Sequence, residues 1–147
     1  MKLLKDAESR LSLVLWAIAV HSFLVGLGLI IQPPVIMKLF GFKSCGEHFF
    51  PAQGGVFHIV MASAYVMAAS HPLQNRIMIV FSIWVKAAAT IFLLLYFLIV
   101  ESIWIVLASC IGDGVMGLLI FLAYRSWMNK IYSEQDKSIW QDKKFTG

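Results

Sequence analysis

Apolar positions along this chain gather into four long runs separated by short polar breaks, a pattern that predicts four membrane-spanning helices. The first run, residues 11–31, carries no formal charge and stops at Gln32-Pro33-Pro34, where the prolines cannot continue a helical ladder. The second, about 50–70, opens with Pro51 in a favourable first-turn position and closes at His71-Pro72. The third, about 77–100, starts beside Arg76, and the fourth, 102–124, is closed by Arg125 and Trp127. Glu101 marks a turn between the third and fourth so short that the two helices are expected to lie antiparallel as neighbours.

The expected fold class is an all-α membrane protein. Its architecture is a four-transmembrane-helix antiparallel bundle forming a single domain over 1–147. The stretch 33–48 carries Val35, Ile36, Leu39, Phe40 and Phe42, too apolar for a freely solvated loop, and reads as a short interfacial or re-entrant segment between the first two spans. Residues 126–147 read as a polar cytoplasmic tail with isolated apolar positions, suited to a helix on the inner surface or a frayed end.

Composition supports the bilayer. Of 147 residues, 60% are hydrophobic and 14% charged, against about 45–50% and about 25% in soluble domains. Several of the five tryptophans sit near the ends of apolar runs, where an amphipathic ring suits the headgroup layer. Lys2, Lys5 and Arg10 precede the first run as in a signal peptide, but the run is too long and lacks a small-residue cleavage pattern, so it is expected to be retained.

Lysines and arginines outside the spans number three before the first helix, one at Arg76 and five from Arg125 onward, against Lys38 and Lys43 in the first loop. That bias predicts both termini on the cytoplasmic side, and the expected location is a bacterial cell membrane. The net charge of +4 is spread over tails and loops, with no basic run able to track phosphates, so a nucleic-acid partner is rejected. Cys45 and Cys110 belong to different layers and are not expected to pair.

Candidate chemistry comes from polar residues at membrane depth. Lys86 and Asp113 each lie about 20 Å from the Glu101 turn along their helices, so an antiparallel hairpin sets them level. A lone charge at mid-span costs about 2.5–3.5 kcal/mol on insertion scales, which makes pairing the physical expectation. Small and polar neighbours share their faces: Ser109 and Gly117 with Asp113, Ser82 and Thr90 with Lys86. His21 and His58 are expected on interior faces of the first two helices, completing a cluster of Lys86, Asp113, His21 and His58. Gln53, Tyr65 and Ser109 are secondary candidates. A structural reading stands beside each functional one: an ion pair that fixes hairpin register, and histidines that are simply hydrogen-bonded inside the bundle.

Cys45 and His48, with Glu47 and His58 near, have the spacing of a partial metal site, but no second ligand pair completes a signature, and no metal is expected. Phosphate-binding glycine loops and hydrolase motifs are missing from the sequence, and no cofactor or catalytic residue is assigned.

Gly26-Leu27-Gly28-Leu29 through Pro34, Leu39-Phe40-Gly41-Phe42, Tyr65, His71-Pro72, Lys86 and Gly112-Asp113 together resemble small four-span proteins of the DoxX-like kind. The resemblance covers the four helices and not the tails. It implies the same four-span fold, and some members of that group are membrane subunits of quinone-linked oxidoreductases. This chain departs from the pattern at Gln53, where an arginine is frequent, so no site residue is carried over.

Three functions fit these readings. The first is an accessory membrane subunit working in a complex or as a homo-oligomer, with the Lys86 and Asp113 pair holding the bundle together. The second is a transporter or proton-conducting element lined by the interior polar residues. The third is a quinone-linked or lipid-substrate membrane enzyme in which a histidine or Asp113 handles a proton.

Overall fold

The structure, a computed structural model, describes residues 2–42 and 48–145, with side chains over 3–42 and 48–137. The described residues form five helices: α1 (Lys2–Ile31), α2 (Pro34–Leu39), α3 (Phe49–Ser70), α4 (Arg76–Ile99) and α5 (Trp104–Phe145). All but α2 are long and apolar enough to cross a membrane. The fold is therefore an all-α bundle of four spans, and the protein is a multi-pass membrane protein.

Each helix stops for a local reason. At the end of α1 the Gln32 amide still closes the ladder onto the Gly28 carbonyl at 2.9 Å, but Pro33 has no N–H and the chain turns with Gln32 at φ +47°. That left-handed conformation is unfavourable for a residue with a Cβ. It is held by a two-point clip to His48, in which Gln32 Nε2 donates to the His48 carbonyl and Gln32 Oε1 meets His48 Nδ1, both at 3.1 Å. The helix α2 starts on Pro34 and stops at Leu39, and the chain then turns at Gly41, φ +88°, a conformation glycine adopts freely. Phe40 sits edge-on to Trp104 at 6.1 Å, so α2 reaches across the end of the bundle to the start of α5. Between α3 and α4, Asn75 Nδ2 donates to the Met67 carbonyl at 2.8 Å and satisfies one of the last acceptors of α3. The turn from α4 to α5 occupies residues 100–103, slightly longer than Glu101 alone suggests.

The helices form a closed ring in which α1 packs on α3, α3 on α4, α4 on α5 and α5 on α1. Contacts are most extensive within α1/α3 and α4/α5, so the bundle is two tight hairpins joined face to face. The α1/α3 register is fixed along its length. Ser12 Oγ donates to the Ala69 carbonyl at 2.7 Å, Ser22 meets His58, Gly26 lies on Gly55, and Gln32 clips to His48. A methyl group on Gly26 would stand 2.7 Å from the Gly55 carbonyl oxygen, and one on Gly55 would stand 2.6 Å from that of Gly26. Only glycine lets the two backbones approach this closely.

Interior positions follow coiled-coil spacing. On α3 they are Gly55, His58, Ala62, Tyr65 and Ala69, and on α5 Cys110, Asp113, Gly117, Ile120, Tyr124 and Trp127, alternating three and four residues apart. The apolar core joins Leu11, Leu15 and Ile18 of α1, Tyr65 and Ala68 of α3, Ile79 of α4, and Ile120 and Trp127 of α5. All lie in the half of the bundle that carries both chain ends. In the opposite half, Gly26 against Gly55 joins α1 to α3, and a hydrogen bond from Cys110 Sγ to the Thr90 carbonyl joins α5 to α4.

The 42 residues of α5 are one continuous helix, about 63 Å long at 1.5 Å per residue and so about twice the hydrocarbon thickness. Residues 126–145 are thus a direct extension of the fourth span. Trp127, placed by sequence at the edge of the tail, is 1% exposed and belongs to the core with Ala7 and Leu11. The outward faces carry Leu13, Leu24, Phe57, Trp84 and Phe92, all exposed, as lipid-facing positions require.

Candidate functional site

Lys86 and Asp113 meet as the hairpin geometry requires. Lys86 Nζ lies 2.5 Å from Asp113 Oδ1, and the two side chains are 4% and 13% exposed. The surroundings let a long ammonium side chain fit between helices. A methyl group on Gly117 would stand 3.0 Å from Lys86 Cβ, so α5 passes directly against the lysine stem, and Gly114 faces Thr90 one turn further on. Thr90 Oγ1 donates to the Lys86 carbonyl and Ser82 Oγ to that of Met78, each at 2.7 Å, so both hydroxyls are satisfied within α4. The fourth neighbour comes from α3: the Tyr65 ring centroid lies 5.7 Å from Lys86 Nζ, within cation–π range. Lys86 therefore ties α4 to α5 through charge and to α3 through an aromatic face.

Two turns along α3 from Tyr65, half-buried His58 joins α3 to α1. Its Nδ1 lies 3.3 Å from Ser22 Oγ, and Ser22 Oγ donates to the His58 carbonyl at 3.2 Å. One hydrogen arrangement satisfies both contacts: Nδ1–H donates to Ser22, and the serine hydroxyl donates to the carbonyl. The neutral ring then keeps its lone pair on Nε2.

The remaining expectations divide. Tyr65 is buried beside Lys86. His21, expected inside, is exposed, as are Gln53 and Ser109. The cause is the facing of α1: Leu11, Leu15, Ile18 and Ser22 set its interior line, and Gly26 is pressed against α3, which turns His21 about 100° away from Ser22. Ser22 is the interior partner that sequence reasoning missed. Its place four residues before Gly26 was the available signal, because a small residue one turn from a glycine marks a helix-contact face.

Of the partial metal constellation, Cys45 and Glu47 lie outside the described residues, while His48 is engaged with Gln32. Among the described residues no group of three His, Cys, Asp or Glu side chains could hold a metal ion. Two surface grooves, of about 560 and 190 Å³, lie away from the interior cluster; neither is lined by Lys86, Asp113 or His58.

The arrangement neutralises two charges inside an apolar slab while joining three helices, with a histidine and serine fastening the fourth. A scan against protein-family models, a search of curated proteins and a search of solved structures each found no match for this chain.

Proposed function

We propose that this protein is an accessory membrane subunit, a four-span scaffold whose Lys86 and Asp113 pair fastens the bundle in the membrane. The observation that carries this reading is the direct contact between the two side chains, with Gly117 against the lysine stem and Tyr65 beside its ammonium. An ammonium and a carboxylate so engaged have exchanged their hydration for each other, which suits a fixed joint. Large exposed apolar side chains on every span leave room for partner subunits as well as lipid. The resemblance to DoxX-like proteins, some of which serve as subunits of membrane oxidoreductases, agrees with this role. The distribution of lysine and arginine supports a cytoplasmic position for both termini.

The test is Lys86→Met combined with Asp113→Leu. The double variant should insert, fold and support the cellular phenotype that deletion removes, and the native protein should migrate within a larger assembly in mild detergent. A folded double variant that has lost the phenotype overturns the fastener role. A protein that always migrates alone overturns the subunit role.

A proton-conducting reading is favoured by one observation, the half-buried His58, which meets Ser22 and shares the interior face of α3 with Tyr65 beside the ion pair. It requires pH-driven proton flux in reconstituted vesicles that His58→Gln abolishes.

A further inference from the structure

One face of α1 runs from the charged start of the helix into its apolar stretch through Lys5, Glu8, Ser9, Ser12 and Trp16, at helical spacing. With Ser70 at the end of α3, these residues line an open groove of about 560 Å³ on the outside of the bundle. The groove changes character along its length, polar at one end and apolar where Trp16, itself 45% exposed, meets the lipid layer. An indole ring suits that boundary.

The polar end carries one charge of each sign. Lys5 is exposed and Glu8 half-buried, and neither has an ion-pair partner among the described residues. A half-buried carboxylate without a partner is unfavourable, so a cation beside it is stabilising. The last turn of α3, ending at Ser70, adds the negative end of a helix dipole to the same groove.

We propose that this groove binds a membrane phospholipid whose headgroup carries a primary ammonium. The ammonium pairs with Glu8, the phosphate with Lys5 and the Ser9 hydroxyl, since Ser12 and Ser70 already donate to the Ala69 and Val66 carbonyls, and an acyl chain lies along Trp16. The chemistry ranks headgroups. A primary ammonium donates charge-assisted hydrogen bonds to the carboxylate. A choline headgroup has the charge without the N–H donors, and a glycerol headgroup leaves Glu8 without a cation.

The full-length protein is placed in nanodiscs containing equal amounts of phosphatidylethanolamine, phosphatidylcholine and phosphatidylglycerol. It is then released into mild detergent, and retained lipids are counted by native mass spectrometry. Phosphatidylethanolamine should be retained over phosphatidylglycerol by about fivefold, the ratio expected of one exposed ion pair. Glu8→Gln should erase that ranking, Lys5→Gln should lower retention of all three, and Trp16→Ala should lower retention without changing the order. These side chains are at the surface, and unchanged helicity verifies that each variant folds. Equal retention of the three lipids, or a ranking that survives Glu8→Gln, means annular contact only and overturns the proposal.

Discussion

Gly117 lies so close to Lys86 that a methyl group on it would stand 3.0 Å from the lysine Cβ. The ion pair is set by this approach as much as by charge, because the distance between α4 and α5 decides whether the ammonium reaches Asp113. Gly117→Ala requires a shift of a few tenths of an ångström, and its better helix propensity offsets part of the crowding. Gly117→Leu should separate the helices and cost about 1–3 kcal/mol. Reversible unfolding in mixed micelles measures both, and a leucine variant as stable as the parent would contradict the tight packing.

Removing one charge leaves the other buried. Lys86→Met or Asp113→Leu alone should cost about 3–5 kcal/mol, whereas the two together should cost far less or nothing. A double-mutant cycle on unfolding free energy reads the coupling directly. Additive losses would show that the two side chains act independently.

Gly26 and Gly55 oppose each other across α1 and α3, each a methyl group's width from the other's carbonyl. Either Gly→Ala change should push the same two backbones apart and destabilise by about 1–3 kcal/mol. Since the separation is shared, the combined variant should lose less than the sum. Thermal inactivation profiles of the three variants are sufficient to see this.

Trp127 extends the core past the fourth span, in one cluster with Ala7 and Leu11 and with Ile131 packed against that cluster. Compared with truncation after Lys137, truncation after Arg125 should reduce stability sharply. Trp127→Ala alone should cost about 3–5 kcal/mol, as for other buried aromatic deletions. Detergent melting curves compare the three, and an unaffected Arg125 truncation would refute a structural role for the extension.

Much of this architecture was legible in the sequence because lipid imposes a coarse rule that length and apolarity reveal: proline stops and long apolar runs defined the spans. Lys86 and Asp113 were legible because a charge at mid-span has few acceptable outcomes, and distance from a common turn sets depth. Facing was harder. His21 and Ser22 are adjacent, both have small residues at helical spacing, and only the contact of Gly26 with Gly55 decides which points inward. Trp127 was hidden for a different reason: its polar sequence neighbours describe solvent on one side of α5, while α1 covers the other. The Gln32 clip to His48 joins residues sixteen apart through a segment with no periodic signal.

The placement of the apolar core has a mechanical consequence. Because Leu11, Leu15, Tyr65, Ile79, Ile120 and Trp127 all lock together toward the chain ends, stiffness is unevenly distributed along the membrane normal. The protein is built like a pair of tongs clamped at the handle, each hairpin a blade, with Phe40 on Trp104 a light bridge between the tips. Changes in lateral pressure within the leaflet around the blades act on the more compliant end, and amide exchange should be fastest there.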